Sequence, residues 1–229
     1  MQACQDAQMQ TVLGVDGRRG GWVVATVDVT DAAQLVSLEF HESLAFMEPD
    51  GDPPLCVAID MPIGLADGPR ACDIAARKLL SPHTSRVFPA PPRVALGHSD
   101  DYEAACRAAK AVSGKALSRQ TWNLLTSIRA VDDHADTEGL VECHPEVAFA
   151  LMQGFALDER KKTPPGRERR LELLRRWLPD LGEPTFGDDG LDALACAWSA
   201  SRMAEGRALI LPAGKVPLDA LGRPMRIVA

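Results

Sequence analysis

The sequence predicts an α/β fold built on a five-stranded sheet with helices packed around it. Three observations predict it. Three β-type runs joined by tight turns fall within residues 11–40, two short apolar runs follow near 55–59 and 139–141, and helical patterns lie between and after these. The expected organisation is one domain over residues 11–212, with a helical insertion at about 68–135 and tails at 1–10 and 213–229. At 229 residues, 46% hydrophobic and 25% charged, the chain is neither fibrous nor disordered and can bury a sizeable core.

The first strand is Thr11 to Val15, ending at Asp16, and Gly17-Arg18-Arg19-Gly20-Gly21 forms a tight turn. The second runs Trp22 to Val29 and the third Gln34 to Phe40, which makes an antiparallel meander. Ser43 to Met47 suits a short helix. Residues 48–54, Glu-Pro-Asp-Gly-Asp-Pro-Pro, break the chain before a fourth strand, Leu55 to Ile59, which ends in Asp60. Pro69 suits the first turn of a helix reaching about Leu80, and Ser81-Pro82-His83 with the prolines at 89, 91 and 92 enforces a long loop. Helices start at Asp100 and at Ser118, the latter carrying Leu124, Leu125, Ile128 and Val131 at helical spacing. Gly139 to Val141 is the fifth strand, ending at Glu142, and Pro145 opens a helix to about Gln153. After a basic loop, Lys161 to Pro165, helices follow over Arg167 to Leu178 and from Asp188 to about Glu205. The tail from Leu209 holds at most a small hairpin.

Lys plus Arg number 25 against 32 Asp plus Glu, a net charge of −7, which is unlike a protein that coats nucleic acid by counterion release. Any nucleic-acid contact must be local or metal-assisted. The six cysteines, at 4, 56, 72, 106, 143 and 196, have no zinc-like spacing, and no signal peptide or membrane-length apolar run is present. A cytoplasmic protein with reduced thiols is expected, with homo-oligomerisation left open.

Asp16, Asp60 and Glu142 each directly follow an apolar β-type run, and residues just beyond strand ends face the usual crevice of an open α/β sheet. Clustered carboxylates raise one another's pKa and are tolerated mainly where a divalent cation neutralises them, although strand-end acids also simply cap turns. A fourth acid, Asp192, lies on a helix with no charged residue from Ala193 to Ser201, which must be largely buried. It shares a face with the small residues Ala195, Cys196 and Ser199, although acids in a first turn also simply favour the helix dipole. His144 and Glu146 neighbour Glu142, so either could move a proton near the carboxylates or serve only the helix start. Arg70, Asp73 and Arg77 share one helix face, as substrate contacts or as a salt-bridged surface. Eight Lys or Arg residues between Arg160 and Arg176 form a basic stretch that could meet phosphates or remain solvated. The Gly-rich turn carrying Arg19 reads as a hairpin turn or a phosphate cradle.

Eight ordered motifs go further. They are Gly14-Val15-Asp16-Gly17-x-Arg19-Gly20-Gly21-Trp22, Ile59-Asp60-Met61-Pro62-Ile63-Gly64, Arg70-x-Cys72-Asp73-x-x-Ala76-Arg77, Val87-Phe88-Pro89-Ala90-Pro91, Leu117-Ser118-x-Gln120-Thr121-Trp122-Asn123, Glu142-x-His144-Pro145-Glu146, Lys161-Lys162-Thr163 and Asp188-Asp189-x-Leu191-Asp192-Ala193. Together they resemble an uncharacterised family of predicted nucleases with a ribonuclease H-like fold, domain-of-unknown-function family 429, over roughly residues 11–212. The resemblance implies a mixed sheet in which the fourth and fifth strands are parallel, and a metal-dependent nuclease or phosphodiester hydrolase. Asp16, Asp60, Glu142 and Asp192 would hold one or two Mg²⁺ or Mn²⁺ ions for in-line displacement at phosphorus. His144 or Glu146 would assist proton transfer, and Lys161, Lys162 and Arg70 or Arg77 would orient phosphate oxygens. Arg19, Asp73, Gln120 and Asn123 would be further substrate contacts. With one tyrosine and no broad basic surface, the chain favours a small phosphorylated or nucleotide substrate over duplex DNA. The alternatives are actin-like phosphoryl transfer, which needs two such cores, and a non-catalytic binding module.

Overall fold

A computed structural model of the chain describes residues 8–47 and 51–229. Cys4 and the Glu48-Pro49-Asp50 portion of the breaker lie outside the described residues. The sheet has five strands, β1 (Thr11–Arg18), β2 (Gly21–Asp28), β3 (Gln34–His41), β4 (Cys56–Ile59) and β5 (Leu140–Glu142), in the order β3-β2-β1-β4-β5. The first three pair antiparallel, whereas β4 pairs parallel with both β1 and β5. The fold is therefore mixed α/β, with helices on both faces. The other helices are α1 (Ala71–Leu79), α2 (Tyr102–Ser113), α3 (Arg119–Asn123), α4 (Leu125–Asp133), α5 (Pro145–Gln153), α6 (Pro164–Arg175) and α7 (Asp188–Ala204).

Alternation along the strands divides the core. Val12, Ala58 and Val141 face one way, against α5, α6 and α7, while Leu13, Val15, Val57, Ile59 and Leu140 face α2, α4 and the 3₁₀ turn at Arg93–His98. Gly14 sets the closeness of the first packing. A Cβ there would lie 2.0 Å from the backbone nitrogen of Ala197 and 2.1 Å from the carbonyl of Ala193, so α7 rests directly on β1. The closest approach thus uses Ala193 and Ala197, one position on from the face containing Ala195, Cys196 and Ser199 that the spacing predicts.

Several expectations are corrected by local chemistry. Asp101 rather than Asp100 caps α2, its side chain accepting from Ala104 N at 2.9 Å. Ser118 caps a helix as expected, but that helix breaks at Leu124 into α3 and α4, so that Leu125 enters the core while Leu124 faces a cavity. Pro164 and Pro165 open α6 instead of belonging to the preceding loop, because proline in a first turn removes no needed N–H. Asp16 lies inside β1, which outruns its pairing with β4.

The expected tail at 213–229 packs into the domain. β6 (Ile210–Leu211) pairs antiparallel with β7 (Ile227–Val228), Val228 bridges to Cys143, and Met225, Ile227 and Ala229 join α1 and α5 in a third apolar cluster. Arg223 and Arg93 both donate to Asp132, at 2.6 Å each, and Arg93 also reaches Asp219, which straps this segment to the insertion. Among the described residues no helix is long and apolar enough to cross a membrane.

Candidate active site

Register decides which acids meet. Val15 pairs with Ile59 and Ile59 with Glu142, so these three side chains share the sheet face that α2 and α4 cover. Asp16 and Asp60 are each one residue further on and point to the opposite face, the one on which α7 lies. Asp60 is held there by its N–H, which donates to Val15 O at 2.9 Å. Asp192 descends from the first turns of α7 onto the same face because Gly14 admits that helix so closely.

Asp16, Asp60 and Asp192 line one crevice of about 790 Å³ together with Gln120, His144, Glu146, Lys161 and Lys162. All three carboxyls are pushed above the ordinary range. Burial is the main cause for each, and Asp192 and Asp60 raise Asp16 further. Asp192 reaches about 6 even though Lys161 donates to it from Nζ at 2.6 Å. Among the described residues Lys161 is the one ion-pair partner of the three aspartates. Among those residues Asp16 and Asp60 have none.

Glu142, the fourth acid of the set that the motifs imply, does not line that crevice but shares a small cavity of about 20 Å³ with Asp60 and His144. Arg70 donates Nη2 to its Oε1 at 2.6 Å and Nη1 to its Oε2 at 2.8 Å, and Ile63 N donates to Oε2 at 2.8 Å. Burial pushes Glu142 up to about 7 against the pull of Arg70. Arg70 also grips Asp73 and the carbonyls of Ile63 and Gly64. Arg70 and Asp73 are 3% and 4% exposed, so neither is open to a substrate, and neither belongs to the exposed salt-bridged surface that their spacing also allows. Their role is to fix the loop that leaves β4 behind Asp60.

Glu146 is likewise compensated. Its Oε2 accepts from Arg86 at 2.7 Å and its Oε1 from Arg170 at 2.6 Å, and these arginines also hold the carbonyls of Leu157, Glu159 and Gly166. Glu146 thereby positions the loop carrying Lys161 and Lys162. His144 turns Nε2 towards Arg86 O at 3.2 Å, so the neutral ring carries its proton there and presents Nδ1 as a lone pair. That Nδ1 is buried without a partner among the described residues, and His144 lines the same cavities as Asp60.

Of the basic stretch, Arg160, Lys161, Lys162 and the largely buried Arg170 line the crevice, whereas Arg167, Arg169 and Arg175 are bonded elsewhere. Arg19 and Asn123 share a neighbouring cavity of about 760 Å³, which meets the crevice at Gly17, Met61 and Leu124. Arg77 donates twice to Val87 O and faces a third cavity. Arg86, Arg170 and Asp189 are site residues that the motif reading did not single out for a role. Arg86 directly precedes the Val87-Phe88-Pro89 motif, and Asp189, which accepts from Arg18 at 3.1 Å, lies three residues before Asp192.

The donor set suits an oxygen-preferring divalent cation: three crowded carboxylates, with a buried imidazole lone pair beside Asp60. Among the described residues no three His, Cys, Asp or Glu side chains stand close enough to form a ready cage. Mg²⁺ does not need one, since it keeps several waters and uses one or two carboxylates plus substrate phosphates.

Fold and site define a mixed α/β protein whose crevice, at the ends of its central strands, sets five acids, Asp16, Asp60, Glu146, Asp189 and Asp192, among five basic side chains, Arg86, Arg160, Lys161, Lys162 and Arg170. The chain belongs to the family described as protein of unknown function (DUF429), whose model matches residues 14–216. No curated protein and no solved structure matches it.

Proposed function

We propose that the protein is a divalent-metal-dependent phosphodiester hydrolase of nuclease type, on a ribonuclease H-like sheet. One observation carries this reading: Asp16, Asp60 and Asp192 converge on one crevice with raised pKa values and a single lysine among them. Asp16, Asp60 and Asp192 would hold Mg²⁺ or Mn²⁺, with Glu142 withdrawn into the Arg70 pair. When bound, the cation supplies Lewis-acid stabilisation of phosphoryl oxygens and a more acidic water.

The chain's own residues do the rest. Lys161, Lys162 and Arg160 attract and orient phosphate oxygens on the wall facing the aspartates. Lys161, whose Nζ donates to Asp192 at 2.6 Å, would be free to meet a phosphate oxygen were a cation to neutralise that carboxylate. His144, its Nε2–H held by Arg86 O, takes a proton on Nδ1 next to Asp60. Glu146 keeps Arg86 and Arg170, and with them the lysine loop, in register. The volume of the crevice suits a nucleotide or a short phosphodiester better than a duplex.

The test is a Mn²⁺ titration of thermal stability, followed by hydrolysis of bis(4-nitrophenyl) phosphate and short single-stranded oligonucleotides. Mn²⁺ raises the Tm of the wild type and not of Asp16→Asn, and the variant loses at least about 100-fold of the Mn²⁺-dependent rate. A wild-type Tm unmoved by millimolar Mn²⁺, with and without oligonucleotide, overturns the reading.

A further inference from the structure

Behind one wall of the crevice lies a separate cavity of about 360 Å³, between the loop entering α1, the proline loop and the turn joining α2 to α3. The two cavities use opposite sides of the same segments. Phe88 and Gln120 line the crevice, while their neighbours Pro89 and Thr121 line this one. Its volume is within the range of small-molecule sites and corresponds to a ligand of roughly ten non-hydrogen atoms.

Its chemistry is asymmetric. Pro69, Pro89, Pro92 and Leu117 supply rigid apolar walls that lose little entropy on contact. Arg77 and Lys115 supply positive charge. Arg77 uses Nε and Nη2 on Val87 O, so its guanidinium is held in place with Nη1 left over, and Lys115 is exposed at the rim. Two acids also line the cavity, but both oxygens of Asp73 already accept from Arg70, and Asp67 is exposed to screening water. Ser118 and Thr121 turn their hydroxyls on each other at 2.9 Å, forming a polar edge.

We propose that this cavity is a binding site for a small organic anion: a carboxylate or phosphate monoester paired with Arg77 and Lys115, its flat apolar body between the prolines and Leu117. The site is independent of the aspartate crevice and of the reaction performed there. Its distance from the chemistry is nonetheless short in bonds, since Asp73 on its wall is held by the same Arg70 that fixes Glu142 and the loop behind Asp60.

The experiment titrates benzoate, phenyl phosphate and the neutral benzamide into ¹⁵N-labelled full-length protein without divalent metal. Either anion at up to about 10 mM shifts the amides of Gly68, Ala90, Lys115 and Ser118, and benzamide does not, as expected for a ligand of this size. The anion that binds more tightly assigns the head group. Lys115→Glu weakens binding by about fivefold or more, and Ala116→Trp, an exposed lining position, abolishes it while the other amides stay in place. The proposal fails if neither anion moves those amides, if benzamide moves them equally, or if Lys115→Glu leaves the affinity unchanged.

Discussion

Asp60 and Glu142 leave neighbouring parallel strands one register position apart, and that single step gives them opposite surroundings. Glu142 enters a face where Arg70, itself 3% exposed, meets both its oxygens. Asp60 enters the face it shares with Asp16 and Asp192, where Lys161 is the one ion-pair partner of the three among the described residues. Both regions are acidic and buried, so burial and acidity alone do not mark a site. The difference lies in compensation. A buried carboxylate met by a fork of donors is architecture, and one without a pairing cation is a candidate for a site.

The largest effect that would break this contrast is expected on the compensated side. Arg70→Met leaves Glu142 and Asp73 buried without their cation and costs about 3–5 kcal/mol of stability, read from urea unfolding. Restoring much of that loss with Arg70→Met/Glu142→Gln would identify the unpaired charge as the cause. An Arg70→Met protein as stable as the wild type would remove the distinction between the two regions.

Next comes the packing that brings Asp192 to the trio. Gly14→Val places its side chain inside the backbone of α7 and costs at least about 1–3 kcal/mol, with loss of Mn²⁺ binding in whatever fraction still folds. Calorimetry of metal binding checks this, and unaltered affinity would show that α7 does not position the site.

The smallest effect has the opposite sign and depends on pH. The carboxyl of Asp16 is raised above its ordinary value of 3.8, so the metal-free folded protein holds its proton more tightly than the unfolded chain. Its contribution is favourable below that ordinary value and is lost as pH rises through the raised one. Asp16→Asn therefore gains stability over wild type as pH rises from about 4 towards neutrality, and millimolar Mn²⁺ erases the gain by stabilising the wild type. Parallel wild-type and variant curves from pH 4 to 7 would contradict crowding at this site.

Much of the sheet was legible because the strands carry β-branched runs between Gly and Pro turns, and Pro145 and Ser118 mark their helix starts by capping chemistry. Asp192 was legible as an inward carboxylate because the residues that follow it on its helix, Ala193 to Ser201, carry no charge. Glu142 was grouped with the trio because a three-residue strand shows its position but not its pairing, and one step of register reverses its face. Arg86 and Arg170 were hidden for a related reason: their value comes from meeting at Glu146, 60 and 24 residues away in sequence. The burial of residues 213–229 was hidden because their apolar residues, broken up by Gly and Pro, gain meaning only against α1 and α5, whose faces are set by distant chain.

The close seat of α7 on Gly14 also bears on the order of assembly. The β1–β2–β3 meander closes through short turns, whereas the three aspartates sit at positions 16, 60 and 192 and meet only after the insertion has been spanned and the last long helix has docked. Until then each carboxylate is hydrated and titrates as an ordinary acid. Mutual repulsion therefore arises only where these distant segments meet, and the local contacts of the meander do not carry it.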